Sequence, residues 1–329
     1  MVITRTPLRL SFAGGGTDLP DFYRRDWGAV FSTTIARYVW VTVKRHSELF
    51  FEPIRINYSK SEQVAAIDEI ENDIARECLR FLAIEPPIYV STVGDVPAST
   101  GLGGSSAFAV GLLNALHALR GDRVSPGQLA EEASHIEIDV LGQPIGKQDQ
   151  YAAAFGGLNV FCFRSNGTVT VEHQRLSREV KEQLFGSMLM FWTGHQRDAG
   201  AVLAEQRDNI ETEYQRLVHM RDQAMELQSL VLDRQLDARA FGRILDAGWR
   251  LKRGLASSIT TDQIDSWYEA AMAAGTHGGK LCGAGGGGFL LLIAPPQRHD
   301  AIRHALRDLM ELSVEPEAHG SQLMHPYIG

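Results

Sequence analysis

The sequence predicts an α+β chain folded in two lobes, and three observations predict it. Strand-like segments rich in β-branched and aromatic residues crowd the first ninety positions, whereas residues 198–274 read as mostly helical. That is not the regular strand–helix alternation of a doubly wound sheet. A polar stretch at 164–178, with a hairpin signal at Asn166-Gly167, separates two apolar regions. The length, 329 residues, suits two ordinary domains. The expected division is 1–175 and 176–329.

In chain order, residues 6–13 alternate in part and form a strand that ends in three glycines. The stretch YVWVTVK at 38–44 is a second strand, with 50–56 as its partner. Apolar residues at 64, 67, 70, 74 and 79 give 61–82 helical spacing. Residues 88–93 are a strand. The run at 107–119 is long enough for a buried helix, and 128–141 is another helix. A short helix turn falls at 151–154 and a strand at 157–163. Beyond the division, 188–192 is a strand. The helical region breaks near 233–237 and 257–262. A glycine-rich loop spans 278–288, a strand 289–294, and a last helix 299–310.

Composition narrows the classes. With 44% hydrophobic and 22% charged residues, disorder and collagen-like repeats are excluded. The net charge of −8 disfavours a general polyanion binder, so nucleic acid is not an expected partner. Cys78, Cys162 and Cys282 are scattered, odd in number and form no CxxC pair, which points to a reducing compartment and to neither disulfides nor zinc. No run approaches about 18 apolar residues, so no membrane span is expected. The expectation is a cytoplasmic protein.

Three glycine-rich loops carry the chemistry. Residues 99–106 combine three glycines with hydroxyls directly before an apolar helix. Glycine lets backbone approach a ligand closely. A helix N-terminus offers free N–H groups and partial positive charge, which suits phosphate. Ser105 and Ser106 can cap the helix, bond phosphate or hold a magnesium ion. A tight turn with a serine cap is the plainer alternative. No GK[ST] ends this loop, and it lacks the second glycine of a hydrolase nucleophile turn. Residues 283–288 match GxGxxG, but they precede a strand instead of following one, so the dinucleotide context is reversed. They suit a crowded turn or a loop packing on a nucleotide site. Residues 14–18, GGGTD, follow the strand bearing Arg9. That arginine is either exposed on the strand face or, if half-buried, calls for an anion or a carboxylate. Asp18 is either a turn former or an acceptor for sugar hydroxyls. Finally, Asp149 enters an apolar segment two residues after Lys147. The pair is either a surface ion pair or a kinase base with a charge-stabilising lysine.

Together, these residues resemble the GHMP small-molecule kinases, whose three motifs occur here in order: PLRLSFAGGGTD at 7–18, PASTGLGGSSA at 97–107 and KLCGAGGGG at 280–288. Within that superfamily the first motif and GKQDQYAAAFGGLN at 146–159 look like those of the heptose 7-phosphate 1-kinases. Gly15 and Gly16 stand where a galactokinase has Glu-His. The resemblance implies an S5-like N-terminal domain and a ferredoxin-like C-terminal domain with added helices. It implies ATP and Mg2+ as cofactors. Pro97, Ser99, Thr100, Gly101, Leu102, Gly103, Gly104, Ser105 and Ser106 would bind the nucleotide. Glu137 with Ser105 or Ser106 would hold the metal. Asp149 would be the catalytic aspartate, oriented by Arg9 and assisted by Lys147. Gly15, Gly16, Thr17 and Asp18, with Gly285 and Gly286, would meet the sugar. Arg197, with Lys44 and Arg45 behind it, is the expected grip on a distal phosphate. The implied partner is a small sugar phosphate, and the protein is expected as a monomer or homodimer. A fucose- or mannose-type sugar kinase, a decarboxylase of the same fold and a catalytically silent sensor are the rival readings.

Overall fold

Among the described residues, nine strands build one sheet and four build another. The computed structural model describes residues 1–47, 49–195, 199–233 and 236–324. The first sheet begins with β1 (Val2–Ala13), β2 (Trp27–Arg45), β3 (Ile54–Asn57), β4 (Ser61–Val64), β5 (Ile88–Gly94), β6 (Leu158–Arg164) and β7 (Val169–His173). The second holds β8 (Met188–Trp192), β9 (Gly278–Leu281), β10 (Phe289–Ile293) and β11 (Met310–Glu311). The last strands, β12 (Pro316–Glu317) and β13 (Gln322–Met324), return to pair with β2 and β1. The helices are α1 (Pro20–Tyr23), α2 (Asp73–Phe81), α3 (Gly104–Arg120), α4 (Pro126–Ser134), α5 (Gln148–Phe155) and α6 (Arg178–Gly186) in the first half. Then come α7 (Ala199–Asp208), α8 (Ile210–Leu232), α9 (Ala238–Arg253), α10 (Asp262–Ala273) and α11 (His299–Ala305). None of the described helices is long and apolar enough to cross a membrane.

The class is α+β, as expected. The second sheet is antiparallel throughout in the order β11-β8-β10-β9. With helices between β8 and β9 and between β10 and β11, this is the split βαβ arrangement of ferredoxin-like folds. The expected division at 175/176 falls between β7 and α6, but β12 and β13 lie with the first sheet, so the chain ends where it began.

Several elements differ from the sequence reading for physical reasons. Strand β2 runs through 19 residues, far beyond 38–44, because one half pairs β5 and the other half pairs β6. Residues 50–56 do not partner it. Only Ile54–Asn57 is extended, and it lies parallel to β5. The helical spacing at 61–82 is produced by three elements: β4, a 3-10 turn at Ile67–Glu69, and α2 alone as helix, started by the Asn72 side chain on the Ala75 N–H. The last helix stops at Ala305, and Met310–Glu311 is a strand.

Two features aim the site. The β1–β2 register slips between Pro7 and Leu8 and again between Ser11 and Ala13. Proline cannot donate to a ladder, and bulges re-aim side chains. Arg9 lies between these two irregularities. Helix α3 is buried from Ser106 to His117 against β1, β2, α4 and α5. It approaches the sheet closely at Gly111, where a Cβ would meet the Thr6 Oγ1 at 2.6 Å, and the Thr4 hydroxyl donates to the Gly111 carbonyl at 2.8 Å. This packing holds the N-terminus of α3 at one fixed place over the strands.

Candidate active site

A cleft of about 540 Å3 opens between the two sheets, lined by β1, the loop before α3, the start of α5, and α7, α8, α9 and the 283–284 turn. At its centre stand Arg9 and Asp149. The Arg9 Nε donates to Asp149 Oδ1 at 2.7 Å and Nη2 donates to Oδ2 at 2.8 Å. Nη1 donates to the Gly101 carbonyl at 2.5 Å. Arg9 is 5% exposed, and the Asp149 side chain is 23% exposed and faces the cleft. A two-pronged guanidinium–carboxylate pair fixes the direction of the carboxylate as well as its charge. Asp149 lies in the first turn of α5, the end of the helix that attracts negative charge.

The loop before α3 forms one wall. Ser99, Gly101 and Gly103 all have positive φ, and Gly103 is the helix N-cap with no side chain capping the turn. The first N–H groups of α3 therefore face the cleft without a protein cap, where an anion is the natural acceptor. The loop leans on the 282–288 turn: a Cβ on Gly101 would lie 2.5 Å from the Cys282 carbonyl, and one on Gly283 would lie 2.3 Å from the Gly101 Cα. Gly101→Ala is thus expected to cost about 1–3 kcal/mol from clash and positive φ. A thermal unfolding midpoint unchanged from wild type would contradict that.

Behind the loop, Glu137 is 1% exposed on a π-helical turn, His135–Val140, that continues α4. Such turns often occur at functional sites. Glu137 Oε2 accepts the Gln150 Nε2–H at 2.6 Å, and the Ser106 and Ser105 hydroxyls lie near enough to favour its charged form. Burial pushes the Glu137 carboxyl up to about 7. Gln150 Oε1 is buried without a partner.

The opposite wall is the GGGTD turn. Asp18 is 1% exposed and accepts from the Gly16 N–H at 2.9 Å and from the Gln148 N–H and Nε2–H, both at 3.1 Å. Burial raises its carboxyl above the usual range. Gly146 is obligatory here, since a Cβ would fall 2.0 Å from Asp18 Oδ2. Gln148 Oε1 and Ser11 Oγ, both on cleft residues, are buried polar atoms without partners, ready for a ligand's hydroxyls.

Most of the sequence-predicted residues meet in this cleft, and eight described ones do not line it, Glu137 behind the loop among them. Lys147 turns away: its ammonium donates to Glu131 Oε2 at 2.8 Å, because residues two apart at a helix start point to different sides. It does not touch Asp149. Leu102 is buried in the core and contributes only its carbonyl, to the Arg9 N–H at 3.1 Å. The Thr17 hydroxyl faces inward, donating to the Gly14 and Ala29 carbonyls, and so stitches the turn to β2. Gly285 packs on Ile259, and the Gly286 N–H donates to the Ile259 carbonyl at 2.8 Å; Gly283 and Ala284 line the cleft instead. Of the distal-phosphate candidates, Arg197 lies outside the described residues. Lys44 sits over the Tyr89 ring and Arg45 donates to the Glu85 carbonyl, both away from the cleft. Sequence reasoning missed Lys252 and Lys280, which are buried cleft-lining cations, and the amides of Gln148 and Gln150. Lys280 had a signal, as the first residue of the KLCGAGGGG motif. Lys252, near the end of α9, had none.

Comparison with known proteins decides the family. The model for the GHMP kinases N terminal domain matches residues 64–157 and that for GHMP kinases C terminal matches residues 228–312, together more than half the chain. The chain belongs to the GHMP kinase family. Among GHMP kinases it is 28% identical over 315 residues to the D-glycero-alpha-D-manno-heptose 7-phosphate kinase of Campylobacter jejuni, with 92% of each chain covered. A solved D-glycero-D-manno-heptose 1-phosphate kinase from Bacteroides thetaiotaomicron superposes with a TM-score of 0.81 at 26% identity, covering 99% of this chain and 100% of that one. The Lactococcus lactis galactokinase, solved with galactose, shares 15% identity with a TM-score of 0.74 over 98% and 94% of the two chains, a likeness of fold alone.

Proposed function

We propose that this GHMP kinase transfers the γ-phosphoryl group of Mg-ATP to the anomeric C1 hydroxyl of D-glycero-D-manno-heptose 7-phosphate, giving the 1,7-bisphosphate. The observation that carries the reading is the position of Asp149. Arg9 holds it facing the cleft between an uncapped helix N-terminus on one side and the buried Asp18–Gln148 turn on the other. Phosphoryl transfer needs mostly positioning and charge neutralisation, and these three parts supply both.

In this reading the 97–106 loop and the first N–H groups of α3 hold the nucleotide phosphates. Asp18, Gln148 and the Gly15-Gly16 backbone hold the sugar hydroxyls. Asp149 accepts the C1-hydroxyl proton as the sugar oxygen bonds to the γ-phosphorus and the phosphorus–oxygen bond to ADP breaks. The proton then passes to solvent. Arg9 keeps the carboxylate aligned through the transfer. The donor set beside the loop, one buried carboxylate near serine hydroxyls, fits magnesium. One carboxylate, Glu137, with a serine hydroxyl and substrate phosphates is the kind of set Mg2+ uses. The ion would supply charge neutralisation at the phosphates. The division at 1–175 and 176–329 then gives a first lobe that holds nucleotide and sugar and a C-terminal lobe whose last strands return to the first sheet, in a monomer or homodimer.

The substrate assignment draws support from the two heptose-phosphate relatives, whose names put the sugar's phosphate on different carbons. The test is ADP release with Mg-ATP across heptose 7-phosphate, heptose 1-phosphate, mannose, fucose and galactose. Turnover confined to heptose 7-phosphate is expected. Turnover of a free sugar instead discards the substrate and keeps the chemistry. Tight nucleotide binding with no turnover of any sugar discards the kinase reading. The distal phosphate needs a cation, and Arg197 is proposed for it. Arg197→Ala should raise the sugar-phosphate KM about 10–100-fold, the worth of one charged hydrogen bond, with kcat little changed. An unchanged KM refutes that placement.

A further inference from the structure

Two lysines in the cleft have no carboxylate to answer them. Lys252, in the last turn of α9, and Lys280, on β9, are both buried and both line the cleft. The Lys252 ammonium donates to the Gly283 carbonyl. The Lys280 ammonium donates to the Ser11 and Phe12 carbonyls at 2.8 and 3.1 Å, which ties the second sheet to β1. Among the described residues, neither lies within ion-pair distance of a carboxylate. The carboxylate that acts on Lys252, Asp149, is already engaged on both oxygens by Arg9. A buried ammonium held only by carbonyl oxygens is costly, and two that feel each other are costlier. The fold maintains this arrangement near the proposed base, with Lys252 bonded to the turn that packs against the loop before α3.

We propose that Lys252, with Lys280 beside it, is the cation that grips the phosphoryl oxygens in transit between nucleotide and sugar. The inference rests on the phosphoryl-transfer reading above. Charge in such a transfer spreads over the equatorial oxygens, and a preorganised ammonium stabilises it most where water is excluded. Lys252 has two N–H groups beyond the one given to Gly283, and Lys280 has one beyond the two given to β1.

The electrostatics agree with the geometry. Burial, then the charge of Lys280, pushes Lys252 down to about 7. Burial pushes Lys280 down to about 8. The groups facing Lys252 are Lys280 from β9, Cys282 just after it, Arg9 from β1 and Asp149 from α5. From α8, Arg216, paired with Glu213, reaches the neighbouring Leu251 carbonyl. A lysine lowered in this way is largely neutral in the empty cleft above pH about 7, and an arriving anion restores its charge. Nucleotide binding at pH 8 should therefore take up about one proton.

The test is calorimetric titration of the full chain with Mg-AMP-PNP at pH 8 in buffers of different ionisation heat, together with steady-state kinetics. Wild type should take up about one proton on binding. Lys252→Met should lose most of that uptake and lower kcat about 10–100-fold, and Lys280→Met should lose a smaller part. Methionine fills a similar volume without a buried charge, so the Lys252→Met unfolding temperature should hold or rise. Absence of proton uptake in wild type overturns the proposal whatever the variants do. So does a Lys252→Met enzyme with full uptake and wild-type kcat. In both cases a wild-type enzyme that turns over sugar leaves the kinase reading standing, whereas no turnover with any sugar breaks that reading itself.

Discussion

Asp149→Asn is expected to lower kcat by about 10²–10⁴-fold, the range of a positioned general base, while the Kd for Mg-ATP stays within about threefold. The geometry argues for that split. Asparagine keeps the shape of the side chain and one acceptor oxygen, so Arg9 retains one of its two bonds to position 149 and its bond to the Gly101 carbonyl. The phosphate loop and the helix N-terminus make no hydrogen bond to Asp149, so nucleotide binding has no reason to fail. What disappears is the ability to accept a proton. A modest loss of stability, about 1–3 kcal/mol, follows from leaving part of the Arg9 fork unpaired. Rapid-quench turnover and equilibrium nucleotide binding on the same preparation separate the effects. A variant with near-normal turnover ends the assignment of Asp149 as base. A variant that loses nucleotide binding and turnover equally shows that the pair holds the phosphate loop together and does no proton transfer.

How far the site could be read from sequence depended on whether a residue's neighbours are local. The loop before α3 was legible as a cleft wall because its glycines, hydroxyls and following apolar helix are contiguous, and Asp18 because it ends a glycine turn. Arg9 was legible in outline, since a charge on a half-buried strand demands a partner; that the partner is Asp149, 140 positions away, is a matter of topology. Lys147 was misjudged for the converse reason. Adjacency in sequence suggested a pair, but the start of α5 sends residues 147 and 149 to different sides, and Glu131 on α4 takes the lysine. Lys252 had no local signal, because an amphipathic helix ending in basic residues looks solvated, and only the packing of α9 against β9 buries one of them. In the fold, the half of β2 before residue 38 and the strands after residue 311 escaped notice. Their extended shape is fixed by distant partners, with β6 on one side and β12 and β13 crossing from the far end of the chain.

Glu137→Gln should separate metal binding from stability with opposite signs. In the wild-type fold without metal, burial raises the Glu137 carboxyl from 4.5 to about 7. Between those values the folded protein keeps a proton that the unfolded chain has lost. Stability therefore falls as pH rises through that window, and the loss is complete above pH about 8, where it amounts to about 3 kcal/mol. Glutamine removes the titration. Its carbonyl can accept from the Gln150 amide, and its amide can donate to the serine hydroxyls or to the unpartnered Gln150 Oε1. The metal-free variant should thus be more stable than wild type at pH 8, and the two should converge near pH 4.5. Catalysis should move the other way. A neutral amide is a poor ligand for a hard cation, and losing the metal's several kcal/mol of charge stabilisation should lower turnover about 10²–10³-fold at limiting Mg2+, partly recovered at high concentration. Denaturant unfolding at pH 5, 6.5 and 8, with a Mg2+ titration of activity, tests both halves. A variant less stable than wild type at pH 8 means the carboxylate is held by its hydrogen bonds more than burial penalises it. An unchanged Mg2+ dependence means the ion sits elsewhere, against Ser105 or Ser106 and the substrate phosphates alone.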